Sequence, residues 1–214
     1  MVLPVPLVPI EATLGGVSGI VLGFEPMATL APLPPHESKR FTVAEVQAMA
    51  AAGLFDGQER VELLEGELVV VSPQSPVHTA IMDVIAGRLA AACEPTQYLR
   101  HQSPLECGVH SAPEPDLALV VGSPRDYLNR HPVGAECALA VEVAVTSQPL
   151  DRAKAAIYAR AGVAEYWLVD VPGRCLICHL QPDGVGSYGV VTTLASHDLL
   201  KLGGSELRVA DLLP

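Results

Sequence analysis

The sequence predicts an α/β fold organised around a mixed β-sheet. Three observations point there. Strand-like runs of Val, Leu and Ile interleave with helical segments along the chain. The run CALAVEVAV (137–145) is almost wholly apolar, as a central strand covered on both faces should be. Turn signals, namely Glu65-Gly66, Gly162 and Pro172-Gly173, separate the runs.

The elements follow in chain order. Residues 1–36 are rich in Pro, Gly and small apolar residues and run into APLPPHESK, which predicts an extended N-terminal appendage to a domain spanning 37–214. Ordered structure begins at FTVAEVQAMAAAG, where Thr42 and Glu45 form a capping-box pattern and Gly53 supplies the stop. RVELLEGELVVVS reads as a hairpin turned at Glu65-Gly66. Ser75-Pro76 then opens a helix, PVHTAIMDVIAGRLAAAC, with proline in the first turn where its missing N–H costs nothing. Three strands follow, QYLRHQSPLEC, PDLALVV and CALAVEVAV, then a helix from about Pro149 to Ala161 stopped at Gly162. EYWLVDV, RCLICHL and a looser β region near SYGVVTTL complete the reading. No internal repeat is visible.

Composition narrows the class. In 214 residues, 50% are hydrophobic and 17% charged, so the chain can bury one sizeable core. A formal charge of −11 argues against a sequence-independent DNA coater, which needs clustered Lys and Arg, yet leaves room for acidic metal-holding residues. The N-terminus lacks a basic start and is broken by prolines, a poor signal peptide, and no apolar run reaches the roughly 20 residues of a membrane span. Five irregularly spaced cysteines fit free thiols in a reducing compartment, so a cytoplasmic, non-membrane protein is expected.

Residues 115–170 hold the chemistry. Asp116 opens an apolar strand directly after a proline, and Glu142 lies in the middle of LAVEVAVTS. A carboxylate there costs several kcal/mol unless it is paired or coordinated. A salt bridge to a core cation would explain Glu142 alone. A second carboxylate opening a neighbouring strand, with Lys154 on the next helix, favours a shared divalent ion instead. Mg²⁺ accepts few protein oxygens and keeps several waters. A nearby lysine could then stabilise charge developing on a phosphate.

The segments RVELLEGELV, SPQSPVH, PEPDLALV, LAVEVAVTS and DRAKAAIYARAGVAEYWLVD, in this order, resemble the PD-(D/E)xK nuclease fold and, more closely, the restriction-endonuclease-like Uma-two family. The resemblance spans about Phe41 to Leu180. It implies a restriction-endonuclease-like mixed sheet flanked by helices and a Mg²⁺-dependent endonuclease acting on DNA, with Mn²⁺ as a possible substitute ion. Asp116 matches the aspartate of the PD motif and Glu142 the acid of the second half-motif, together the metal pair. Glu62 matches an upstream glutamate that approaches the metal site in related nucleases, and His78 a recurring histidine of unassigned role. The general motif places lysine two residues after the acid. Here that position is Ala144, and Lys154, where the Uma-two pattern also carries a lysine, substitutes for it. On this reading Lys154→Met should leave folding and metal affinity intact while removing cleavage.

Other polar residues have plainer explanations. Asp151 reads as a helix cap, Tyr158 as core packing with a wet hydroxyl, Tyr166 and Trp167 as packing against helices, and Arg152 and Arg160 as exposed helix charges. Cys175-Leu-Ile-Cys178-His179 spells a haem-attachment or redox motif, but strand alternation sends residues three apart to opposite faces. The alternative to an endonuclease is a catalytically idle nuclease fold serving as a binding or assembly module. Cutting two strands with one site per chain makes a symmetric homodimer the expected assembly.

Overall fold

A computed structural model describes residues 38–55, 60–202 and 205–213. The predicted appendage, residues 1–36, and its boundary lie outside the described residues. Helix α1 (Val43–Ala51) carries the Thr42–Glu45 capping box, and Gly53 follows at φ 75°. Strands β1 (Val61–Leu64) and β2 (Glu67–Val70) form the expected antiparallel hairpin. Its turn residues Glu65 and Gly66 take φ 51° and 86°, the double left-handed turn that matches strand twist. Ser75 caps α2 (Pro76–Ala92) through its hydroxyl and the His78 N–H.

The main sheet has six strands in the order β3-β4-β5-β6-β7-β8. These are β3 (Gln97–His101), β4 (Leu117–Val121), β5 (Cys137–Ala144), β6 (Glu165–Asp170), β7 (Cys175–Pro182) and β8 (Tyr188–Ala195). Only β5 and β6 run parallel, and helix α3 (Gln148–Ala161) makes the crossover that a parallel pair requires. Gly162 ends α3 in the left-handed conformation at φ 78°.

Alternation on the strands divides the core into two layers. Leu139, Val141 and Val143 of β5 pack with Trp167, Val169, Ile85 and Leu89 on the α2 side. Ala140 and Ala144 face the other way, with Tyr158, Ala159, Tyr166 and Leu168 on the α3 side. The mixed α/β architecture is the one predicted. Two details differ. The run 97–107 was expected as one strand, but β3 stops at His101 because Gln102 turns to φ 42° and Pro104 follows. A C-terminal hairpin, β9 (Leu199–Leu202) with β10 (Ser205–Arg208), was not anticipated; Leu200 and Leu207 extend the α2-side core. No helix among the described residues is long and apolar enough to cross a membrane.

Candidate active site

The antiparallel register of β4 and β5 pairs Leu117 with Val141 and Ala118 with Ala140. One step further, Asp116 stands opposite Glu142. Directly opposed residues share a sheet face, here the one covered by α3. The two carboxylates are 8% and 4% exposed. Asp116 lies just before β4, and its side chain extends the ladder past the strand's first residue. Its Oδ2 accepts the Val143 N–H at 2.8 Å and lies 2.9 Å from His78 Nε2. Its Oδ1 accepts the Gln102 amide at the longer distance of 3.3 Å.

Glu142 Oε1 accepts from Lys154 Nζ at 3.0 Å and from the Tyr158 hydroxyl at 2.7 Å. Lys154 Nζ also sits 2.8 Å from Glu62 Oε2 and 3.9 Å from Asp151 Oδ1. The Glu62 contact is an ion pair, and Glu62 Oε2 accepts no aligned hydrogen bond among the described residues. Asp151 takes the Ser147 hydroxyl on its second oxygen, and its backbone carbonyl accepts from the Tyr166 hydroxyl at 2.8 Å.

Three buried carboxylates, Glu62, Glu142 and Asp151, thus face one buried ammonium, and a fourth, Asp116, stands beside Glu142. Burial pushes Glu142 well above the usual carboxylate range; Lys154 opposes the rise, and Asp116, Asp151 and Glu62 add to it. Glu62 and Asp151 are raised in the same way, chiefly by burial. For Lys154 burial works against the charge, but Glu142 and Glu62 outweigh it and hold the ammonium above its ordinary value. Burial, with Glu142 beside it, raises Tyr158 so that it remains a neutral donor.

These shifts have a definite sign. A carboxyl raised in the folded state contributes stability below its unfolded pKa and loses that contribution as pH rises through the folded value. The metal-free protein should therefore lose urea resistance as pH rises above the ordinary carboxylate range, through Glu142, Glu62 and Asp151. Glu142→Gln should flatten the slope. Equal slopes for both proteins would refute the assignment.

The structure brings together Asp116, Glu142, Lys154 and Glu62, the four residues predicted for the site. Ala144 points to the α3 side, as the motif lysine would, but is fully buried there; the ammonium arrives from the helix. Two expectations are corrected. Asp151 is not the cap of α3, since Ser147 occupies that position, and Asp151 instead belongs to the carboxylate cluster. The Tyr158 hydroxyl is not wet but fully buried against Glu142. A signal for both was present: Ser147, Asp151, Lys154 and Tyr158 recur at steps of four, three and four, a polar stripe on one helix face. Gln102 carried no comparable signal. Arg152 pairs with the buried Asp170 at 3.0 Å and Arg160 with the exposed Glu65, so both arginines serve ion pairs away from the cluster. Tyr166 and Trp167 are buried on opposite sides of the sheet, in the α3-side and α2-side cores. Cys175 pairs in register with Asp170 and Cys178 with Trp167, so the two thiols lie on opposite faces, and burial pushes Cys178 up to about 12.

A cleft of about 270 Å³ opens over the cluster, walled further by Arg60, Ser75, Glu114 and Thr146. Among the described residues no three His, Cys, Asp or Glu side chains are arranged as a closed metal site. Asp116 and Glu142 nevertheless offer the hard oxygens that Mg²⁺ takes in ones and twos, and the excess of buried negative charge suits a cation.

Residues 43–210 match the family Uma2, described as "Putative restriction endonuclease". The fold is similar to that of a protein from Anabaena variabilis described as "a putative nuclease belonging to DUF820". That likeness has a TM-score of 0.64 at 14% identity, over 80% of this chain and 97% of the other, and is a likeness of fold. No curated protein matches the sequence.

Proposed function

The chain belongs to the Uma2 family of putative restriction endonucleases, and from that premise we propose that it is a Mg²⁺-dependent endonuclease hydrolysing DNA phosphodiesters. The observation that supports this most directly is the register that sets Asp116 opposite Glu142, with the Lys154 ammonium 3.0 Å from Glu142. Asp116 and Glu142 would hold the ion, which supplies Lewis acidity toward a phosphoryl oxygen and a water.

The remaining steps belong to the chain's own side chains. Water attacks phosphorus, one P–O ester bond breaks, and the products are a phosphate monoester and an alcohol. Lys154 supplies fixed positive charge for the phosphate as it gains negative charge. Glu62 and Asp151 hold the ammonium, and Tyr158 holds the Glu142 carboxylate, so neither must reorganise during reaction. A two-fold pair of chains would place one such centre on each strand of a duplex.

Divalent cation should stabilise the protein. At one hundred times Kd, binding to the folded state alone adds about 2.7 kcal/mol. Mn²⁺ or Mg²⁺ should raise Tm, and chelation should reverse the rise. Plasmid DNA should be nicked with Mg²⁺ and left intact without it. A second reading, an idle nuclease fold used for binding or assembly, draws on the acidity of the cleft. Wild-type protein with neither a cation-dependent Tm shift nor nicking activity would favour that reading.

A further inference from the structure

His78 is half-buried at the start of α2, on the wall of the cleft and outside both core clusters. A carboxylate oxygen accepts, so the ring nitrogen facing it is the donor, Nε2–H to Oδ2 at 2.9 Å. The other nitrogen, Nδ1, is buried and without a hydrogen-bond partner among the described residues. A fold gains nothing from burying an unsatisfied nitrogen, so the ring is held there for what its other edge does.

What that edge does follows from the count on Asp116. Oδ2 is filled by two short donors, His78 Nε2–H and the Val143 N–H at 2.8 Å. Among the described residues, Oδ1 has only the Gln102 amide at 3.3 Å. The two donors to Oδ2 come from α2 and β5, on different sides of the carboxylate, and fix its rotation. We infer that His78 is a positioning residue: it locks Oδ2 of Asp116 so that Oδ1, held loosely by Gln102, is the oxygen presented to a cation. This rests on the reading of Asp116 as a metal-holding carboxylate. It places His78 behind that residue and not on the ion itself.

Two variants separate this from a structural role. His78→Ala removes the donor, and His78→Gln restores an N–H near the position of Nε2. The first measurement needs no metal. Hydrogen exchange at the Val143 amide, which Asp116 Oδ2 protects, should be about tenfold faster or more in His78→Ala, return toward wild type in His78→Gln, and leave Tm nearly unchanged. The second is Mn²⁺ titration. Affinity should fall about 10- to 100-fold in His78→Ala, the usual loss for a partner that orients a ligand, with substantial recovery in His78→Gln. Unchanged Val143 exchange in His78→Ala overturns the inference. So does a direct nitrogen–manganese hyperfine coupling in the wild type that vanishes in His78→Ala, because it would place His78 on the ion. Wild-type protein that binds no Mn²⁺ would defeat the proposed function, and the Val143 exchange would still decide the role of His78.

Discussion

Asp116→Asn is expected to leave a folded protein whose Mg²⁺-dependent nicking of plasmid DNA falls on the order of 10³-fold or more. The substitution keeps size and shape. Asparagine still presents one oxygen to the Val143 N–H, so the continuation of the β4–β5 ladder survives. What disappears is one of the two carboxylates on the shared face, and with it most of the attraction for a divalent ion. The asparagine oxygen also keeps the His78 contact, while the amide nitrogen replaces the acceptor facing the Gln102 amide, so the Gln102 contact is lost. Removing a buried charge from an acid-rich cluster should relieve repulsion on Glu142. The metal-free variant should accordingly melt at or above the wild-type temperature, while the Mn²⁺-induced rise in Tm is abolished. Nicking at the wild-type rate, or an undiminished Mn²⁺ shift, would remove Asp116 from the site.

Lys154→Met has the second large effect, and the structure changes what it should do. Sequence alone suggested a substitution that spares folding. Lys154 is instead 3% exposed and lies between Glu142, Glu62 and Asp151. Methionine leaves those carboxylates buried with no cation, and breaking a buried pair on one side typically costs 3–5 kcal/mol, so roughly that loss is expected at pH 8. The loss has a pH signature. Each carboxyl is already raised, and without the ammonium it rises further, so the deficit should shrink as pH falls toward 5 and protons replace the lysine charge. Adding Glu62→Gln to Lys154→Met should recover part of the stability at pH 8. Cleavage, measured at a temperature where both variants are folded, should remain reduced about 10²-fold or more in each. Stability recovered together with activity would mean that Lys154 only neutralises its neighbours.

Much of this arrangement was legible beforehand. Local signals with a direct mechanism held: the Thr42–Glu45 box, the Glu65-Gly66 turn, proline at the start of α2 and Gly162 after α3. Asp116 and Glu142 stood out because charge in an apolar strand is costly, a property of each residue and its neighbours in sequence. Pairwise facts were less accessible. That Gln102 reaches Asp116 depends on a backbone reversal at one non-glycine residue, which no composition signals. The contact between Glu62 and Lys154 joins elements 92 positions apart in sequence, and only the folded sheet brings them together. Asp151 and Tyr158 lay between these cases. Their helical spacing was visible, but a polar stripe reads as a solvent face until the strand beneath it is known to carry Glu142.

The cleft's side chains also determine how the protein would respond to salt. Proteins that grip DNA by its backbone release condensed counterions, and their affinity falls by about 0.9 log units per phosphate contact for each decade of salt. Among the described residues lining this cleft, the cations are Arg60 and Lys154; Arg60 is paired to Glu114 at 2.6 Å, and Lys154 is enclosed by carboxylates. Such a surface can displace few counterions, so affinity for DNA should vary with potassium chloride by a slope near −1 or flatter, and encounter should gain little from long-range attraction. If this centre acts on a phosphodiester as proposed, the cleft itself would draw it in at short range, through a divalent ion held beside the phosphate, and the supply of that ion would matter more at the cleft than ionic strength does.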